Sequence, residues 1–301
     1  MSRNNKPSKN ILIIGAAVID VIVRVSQLPK SGEDIYGEHI ETMVGGCAYN
    51  VQQVIRNFSL ENTLFVPVGS GPYADIIRSH FKKLNIPLMV DDASQDNGWN
   101  ISFVEPDGER TFLSVPGLET NWKDAWFEGV ALHDYDYIYV SGYELEGPSG
   151  VVLLKQLQAK KAPHAVVVFD PGPRVSYINQ TVLDAILHLR TILHCNLNEL
   201  MALVPAASLE ESARKLHQIT NEAVVVTLGS EGCFFLDGYQ SGVIPAHPVT
   251  AVDTIGAGDA HTGAFISGIA QGLSVKEACQ LGNDIAAKVV QQTGGDLTSI
   301  I

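Results

Sequence analysis

From residue 135 onward, short apolar runs rich in β-branched residues alternate with longer stretches of helical period. The spacing predicts strands at 137–141, 165–170, 191–195, 223–228 and 233–236, and helices at 149–160, 178–188, 209–220, 260–271 and 275–291. Strands separated by a helix run parallel, because a crossover of that length is what returns the chain to the same edge. The pattern therefore predicts an α/β fold, a mostly parallel sheet with helices on both faces. Two of the helices open with a capping-box pattern, Ser208-x-x-Glu211 and Ser274-x-x-Glu277. Upstream, Ile11-Leu12-Ile13-Ile14-Gly15 reads as a buried strand, 63–68 as a second strand and 73–84 as a helix.

Residues 97–115 follow a different period. Trp99, Ile101 and Phe103 alternate with Asn100 and Ser102, the turn chemistry of Pro106-Asp107-Gly108 follows, and 111–115 is the return strand. With the mixed run 35–43, this hairpin predicts a small β-sheet lid, contributed by about 33–43 and 98–115. An ordinary edge hairpin would give the same pattern. At 301 residues the chain suits a single domain over 1–301 with this small addition.

Composition narrows the function. A net charge of −13 argues against non-specific binding to nucleic acid or anionic membrane. It leaves room for an anionic substrate, which a local cluster of amides can hold. No apolar run reaches the length of a membrane span, and the polar start lacks the core of a secretory signal. Cys47, Cys195, Cys233 and Cys279 are far apart, which fits a reducing cytoplasm.

Chemistry concentrates in 252–263. A Gly-rich turn, Gly256-Ala257-Gly258, leads into the helix at 260–271, with Gly272 as its stop. The first turn of a helix carries unpartnered N–H groups and the positive end of the peptide dipoles, so an anion is favoured there. Asp259 sits beside that anion site. One carboxylate next to an anion hole suits phosphoryl transfer to a hydroxyl, with the carboxylate taking the proton. Alone, the stretch reads equally well as a tight turn with Asp259 as helix cap.

Further polar groups fall near the ends of predicted strands, where α/β folds bind ligands. They are Asp20; Gly45-Gly46 and Asn50 at the mouth of a helix; Asp170 to Arg174; Asn196 with Glu199; and Thr227, Gly229 and Gly232. Asn196 and Glu199, one turn apart, could hold the waters of a Mg²⁺ ion or simply cap a helix. The P-loop, the dinucleotide fingerprint (His261 replaces its last Gly) and the hydrolase elbow are all missing.

Asp253-Thr254-x-Gly256-Ala257-Gly258-Asp259, with Gly45-Gly46 and Asn50 upstream, resembles the paired signatures of the ribokinase/PfkB carbohydrate kinases. Agreement in order extends over nearly the whole chain. The resemblance implies a ribokinase-like fold with a lid and an ATP-dependent kinase acting on a hydroxymethyl group of a small sugar. It implies Asp259 as base, with Gly256, Ala257 and Gly258 as anion hole. Asp20, Gly45, Gly46 and Asn50 would hold substrate hydroxyls. Asn196, Thr227, Gly229, Gly232, Gly258 and Asn283 would line the nucleotide. Glu199 and Asn196 would organise Mg²⁺ through water. Asp253 and Ile255 match half of a monovalent-cation (K⁺) site, whose second half would fall at 291–295. Homodimers through the lid sheet are also implied.

The sequence departs from the family at Cys47-Ala48-Tyr49, where ribokinases commonly carry Lys-Gly-Ala, which argues against ribose itself. Trp99 on the lid could stack on a sugar face or a base. Together with Tyr49 it keeps a nucleoside kinase in play beside a sugar kinase. A non-catalytic sugar- or nucleotide-binding regulator on the same fold is the alternative of another class, against which the retained Asp259 and Glu199 argue.

Overall fold

Ile11, Leu12, Ile13 and Ile14 are all completely buried. Successive side chains of a strand point to opposite faces, so this strand is covered on both sides. It is the first strand of a computed structural model that describes residues 9–106, 109–292, 297, 298 and 300. In chain order the strands are β1 (Ile11–Ile14), β2 (Val18–Val25), β3 (Gly37–Gly45), β4 (Asn62–Phe65), β5 (Pro67–Val68), β6 (Val90–Asp91), β7 (Trp99–Val104), β8 (Arg110–Val115), β9 (Tyr137–Ser141), β10 (Val166–Asp170), β11 (Thr191–Asn196), β12 (Val224–Thr227), β13 (Cys233–Leu236) and β14 (Ser241–Ile244). The α-helices are α1 (Cys47–Asn57), α2 (Pro72–Leu84), α3 (Gly147–Lys160), α4 (Gln180–Leu187), α5 (Leu197–Leu203), α6 (Leu209–Thr220), α7 (Ala257–Ala270) and α8 (Val275–Val289). The chain divides into two compact units, one of Met1–Gly15, Cys47–Leu64 and Trp122–Ile301, the other of Ala16–Gly46 and Phe65–Asn121.

The larger unit holds an eight-stranded sheet in the order β14-β13-β12-β11-β10-β9-β1-β4. From β1 through β12 the pairs β1/β9, β9/β10, β10/β11 and β11/β12 are parallel, as the alternation predicts. β13 and β14 add two antiparallel strands at one edge. Helices α1, α7 and α8 pack on one another. Their shared core includes Val54, Ala260, Ala264, Ile285 and Val289, closed by Leu297 and Ile300 near the C-terminus. Residues 260–270 of α7 are buried all round, which explains why its apolar residues show no stripe.

The smaller unit carries a four-stranded sheet in the order β3-β2-β7-β8, together with α2 and the short β5/β6 pair. β7 and β8 form the expected hairpin, closed by a bond from the Glu105 amide to the Glu109 carbonyl. The predicted turn residues Asp107 and Gly108 lie outside the described residues. β2 was not legible as a separate strand. It runs between β3 and β7, antiparallel to one and parallel to the other. The apolar run 63–68 is not one strand but two. β4 joins the large sheet and β5 pairs with β6, with the break next to Pro67, whose missing N–H interrupts a ladder.

Candidate active site

The four parallel strands β9, β10, β11 and β12 end on Ser141, Asp170, Asn196 and Thr227. Their registers pair Ser141 with Asp170 and Asn196 with Thr227, so the strand ends form one polar row. All four residues line a cavity of about 180 Å³ in the larger unit, together with Cys47, Tyr143, Glu199, Gly258 and Asp259. This is where open α/β sheets place ligands, outside the carboxyl ends of the strands.

Helix α7 brings Asp259 to the cavity and begins on Gly256, whose φ of 73° lies in the left-handed region where a Cβ is costly. No side chain among the described residues caps this helix. The Ala257 amide reaches back to the Thr254 carbonyl at 3.3 Å, while those of Gly256 and Gly258 meet no described partner. A Cβ built on Gly258 would meet nothing within 4 Å, so the space over its backbone is open. Of the three amides expected to form the anion hole, that of Ala257 has a backbone partner and those of Gly256 and Gly258 have none described.

Asn50, one turn into α1, donates from Nδ2 to Asp259 Oδ2 at 2.8 Å. Its amide, expected on a substrate hydroxyl, here holds the carboxylate. Cys47 opens the same helix. Burial pushes its thiol well above the usual pKa, and the charge of Asp259 adds to the shift.

Asn196 and Glu199 form a full capping box. Asn196 Oδ1 accepts from the Glu199 amide at 2.9 Å, and Glu199 Oε2 accepts from the Asn196 amide at 2.8 Å. Asn196 Nδ2 also donates to Glu199 Oε1. The pair therefore caps α5 and faces the cavity at once. Burial raises the Glu199 pKa, and it raises that of Asp170 well above the carboxylate range, with the charges of Glu199 and Asp259 as the next causes. No Lys or Arg among the described residues lines the cavity. Among the described residues no group of three His, Cys, Asp or Glu could cage a metal alone.

Other expected site residues lie elsewhere. Gly229 and Gly232 bracket the turn after β12. Asn283 is buried and donates to the Ile244 carbonyl at 3.0 Å, fastening α8 to the end of β14. Asp253 Oδ1 accepts from the Ile255 amide at 3.0 Å in one turn. Residues 293–295 of the partner segment lie outside the described residues.

In the smaller unit, Asn100 Nδ2 donates to Asp20 Oδ1 at 2.6 Å. Burial pushes the Asp20 pKa up to about 6, against the lowering effect of that bond. Gly45 lies close against this carboxylate, and a Cβ there would push the Asp20 side chain aside. Gly46 follows it at the end of β3. Trp99 does not join this group. It pairs with Ile19, one residue out of phase with Asp20, and stacks on Tyr73 with ring centroids 5.5 Å apart. Sequence reasoning did not single out Asn100 as the neighbour of Asp20, although its place in the period-2 alternation next to Trp99 carried the signal.

Strand ends, an uncapped glycine start and a carboxylate held at it form a recognisable set. A profile described as pfkB family carbohydrate kinase matches residues 8–300. The chain belongs to this family. It is 35% identical over 292 residues to the Escherichia coli protein described as uncharacterized sugar kinase YegV, covering 96% of this chain and 90% of that one. Ribokinase of Lactococcus lactis is 26% identical over 278 residues, covering 90% and 87%. Among solved structures, Thermotoga maritima ribokinase superposes with a TM-score of 0.85 at 24% identity, over 97% of this chain and 96% of that one. Arabidopsis thaliana ribokinase, solved with ribose and ATP, gives 0.80 at 22% identity, over 96% and 94%. The pfkB fold, with its mostly parallel sheet and small separate sheet, is as the sequence predicts, and the chain is a carbohydrate kinase by family, a phosphotransferase with an alcohol acceptor. No helix among the described residues is long and apolar enough to cross a membrane.

Proposed function

We propose that this pfkB-family chain transfers the γ-phosphoryl group of ATP to a hydroxymethyl group of a small sugar, with Asp259 as general base. The observation that carries this is the start of α7. A helix begins uncapped on a left-handed glycine, and the carboxylate of its first turn faces the polar row at the strand ends. The acceptor oxygen attacks the γ-phosphorus, the bond to the β–γ bridging oxygen breaks, ADP leaves, and Asp259 takes the hydroxyl proton. The Gly256 and Gly258 amides, and the Ala257 amide if it leaves Thr254, stabilise the charge on the phosphoryl oxygens. Asn50 keeps the Asp259 carboxylate in place. Asn196 and Glu199 would hold Mg²⁺ through water, and the ion would supply charge neutralisation for the phosphates. Thr227, Gly229 and Gly232 would border the nucleotide.

Asp20, backed by Gly45 and Gly46, is the acceptor-binding carboxylate in this reading. Its burial beside an amide suits bonding to hydroxyls better than to a cation. The case for a nucleoside acceptor rested on Trp99 and Tyr49. Trp99 is stacked on Tyr73 and Tyr49 is 4% exposed, which favours the free sugar. ADP release measured across free sugars and nucleosides tests the reading. Turnover on nucleosides alone would overturn it, and tight binding of ATP and sugar without ADP would mark a regulator.

Asp253 and Ile255 support a K⁺ site near the anion hole; replacing K⁺ by tetramethylammonium should then lower kcat. Apolar side chains exposed on the small sheet, Phe112 and Leu113 among them, support a homodimer through that sheet, which light scattering checks. Four free thiols support a cytoplasmic location.

A further inference from the structure

Helix α7 starts on Gly256, has Gly258 in its first turn and carries no side-chain cap among the described residues, so little in its own sequence holds that turn still. The strand side supplies the hold. Thr262, one turn further into α7, donates from Oγ1 to the Gly258 carbonyl at 3.0 Å. The same hydroxyl lies 3.0 Å from Nδ1 of His194 on β11. Nε2 of His194 lies 2.8 Å from Nδ1 of His261, back on α7. All three side chains are buried, and His194 lines the cavity together with Asn196, Gly258 and Asp259. No step of the phosphoryl transfer described above uses either histidine.

The order of donors follows from the partners. A carbonyl can only accept, and a hydroxyl has one proton to give. Both contacts of Thr262 are satisfied only when its proton lies on the Gly258 carbonyl and His194 Nδ1 donates to its oxygen. Burial, with the charge of His261 as the next cause, holds the His194 pKa well below the usual value, so its ring is neutral and carries one proton. Its Nε2 must then accept, and His261 Nδ1 donates to it. The chain runs one way, from His261 through His194 and Thr262 to the Gly258 carbonyl. His261 thus fixes the tautomer of His194, and that tautomer fixes where the Thr262 proton points. The far nitrogen of His261, Nε2, is buried with no hydrogen-bond partner, next to the Cys233 thiol and against Gly282, where a Cβ would lie 2.7 Å from it. An apolar residue at 261, like its buried neighbours Ala260, Ala264 and Phe265, would fold at lower cost. A Thr that bonds back to its own helix is ordinary. One whose oxygen is also held by a buried histidine pair, on the strand that ends at Asn196, calls for a reason.

We propose that His194, His261 and Thr262 are positioning residues for phosphoryl transfer, a one-way hydrogen-bond chain that ties the first turn of α7 to the end of β11 and so sets Asp259 and the Gly258 backbone against Asn196. This rests on the kinase reading above and adds what keeps its two sides in register. The bond on the Gly258 carbonyl also polarises the peptide that carries the Asp259 amide, since hydrogen bonds in a chain strengthen one another. His194 reaches the cavity wall with both ring nitrogens engaged, so it has none to offer as a base. Loss of the chain should therefore lower kcat and spare binding.

The test follows ADP release with Mg-ATP and whichever of D-ribose, D-fructose, D-glucose and D-glucitol wild type uses fastest. Thr262→Val removes the hydroxyl at nearly constant shape, and His261→Phe removes the donor that fixes His194. Each should lower kcat by roughly tenfold and leave both KM values within about twofold of wild type. Thr262→Ser restores a hydroxyl, and His261→Asn restores an amide donor where Nδ1 stood, so both should recover most of the loss. His261→Phe exchanges one unpartnered ring nitrogen for another, so its Tm should stay near wild type, which separates lost positioning from lost folding. Nitrogen NMR of the histidine rings should find His194 protonated on Nδ1 in wild type and no longer held to that tautomer in His261→Phe. A kcat within about twofold of wild type in both Thr262→Val and His261→Phe would overturn the proposal. So would a loss that the conservative variants do not recover, a change confined to KM, or His194 protonated on Nε2 in wild type. If wild type releases ADP with none of the four compounds, the kinase reading fails by itself. The chain is then decided by the His194 tautomer and by the Gly258 and Asp259 amide signals, which should shift in Thr262→Val; unmoved signals would overturn it.

Discussion

Helices α7 and α8 follow one another in the chain and pack together, yet they begin in opposite ways. α8 starts with a complete capping box. Ser274 Oγ accepts from the Glu277 amide at 3.3 Å, and Glu277 Oε2 accepts from the Ser274 amide at 2.9 Å. α7 starts on Gly256 with no side-chain cap. In the first case the chain satisfies its own orphan donors; in the second it leaves donors for something else. The acids follow suit. Glu277 is held below its usual pKa by its bonds to Ser274, whereas Asp170, near the start of α7, is pushed well above by burial and by Glu199 and Asp259. One start is closed by its own side chains, and the other leaves the Gly256 and Gly258 amides without a described partner.

The largest expected effect that would break this contrast is on Asp259. Asp259→Asn should leave the melting temperature close to wild type and cut kcat about 100-fold or more, as loss of a general base does. Turnover within a few-fold of wild type would remove its role. Gly258→Ala comes next. Its Cβ meets no protein atom, so stability should hold, while a methyl in the open space should lower kcat/KM by roughly tenfold through crowding of the phosphoryl group. A loss of folding instead would show that the backbone there is structural.

The pH dependence sharpens the comparison further. A raised folded pKa means that the native state keeps a proton the unfolded chain has released, so Asp170 costs stability as pH rises from about 4 through its folded pKa. Tm should therefore fall across that range, and Asp170→Asn should flatten the fall. A profile unchanged by the substitution would mean that Asp170 is ionised at little cost. Glu277 works in the opposite sense, adding stability above its unfolded pKa and losing it as pH falls. The smallest effect belongs to the capped start. Ser274→Ala should cost about 1 kcal/mol in urea unfolding and leave kcat and both KM values alone. If it altered turnover, the two helix starts would not be independent.

The elements legible in the sequence were those whose pattern is local. The alternation after residue 135 predicted the parallel sheet, and Ser274 with Glu277 predicted a helix start to the residue. Ser208 caps α6 as read, but Glu211 bonds the Ala207 amide and not that of Ser208. β2 escaped because its parallel partner β7 is reached only after a long interval of chain, and half its residues are only partly buried. Trp99 was drawn toward the acceptor by its size. The pleat sends it to Tyr73 and presents Asn100 to Asp20 instead.

By itself the sequence determined the fold class, the reaction type and the residues that could carry it. Hydrophobic period, glycine placement and the Gly-Ala-Gly-Asp order are properties of neighbouring residues. Which group each side chain meets was decided only by tertiary structure. Asn50 and Asp259 are 209 residues apart and lie within 2.8 Å, and Asp20 and Asn100 are 80 apart and lie within 2.6 Å. Strand register and helix crossing make those pairs, and both depend on packing across the whole core.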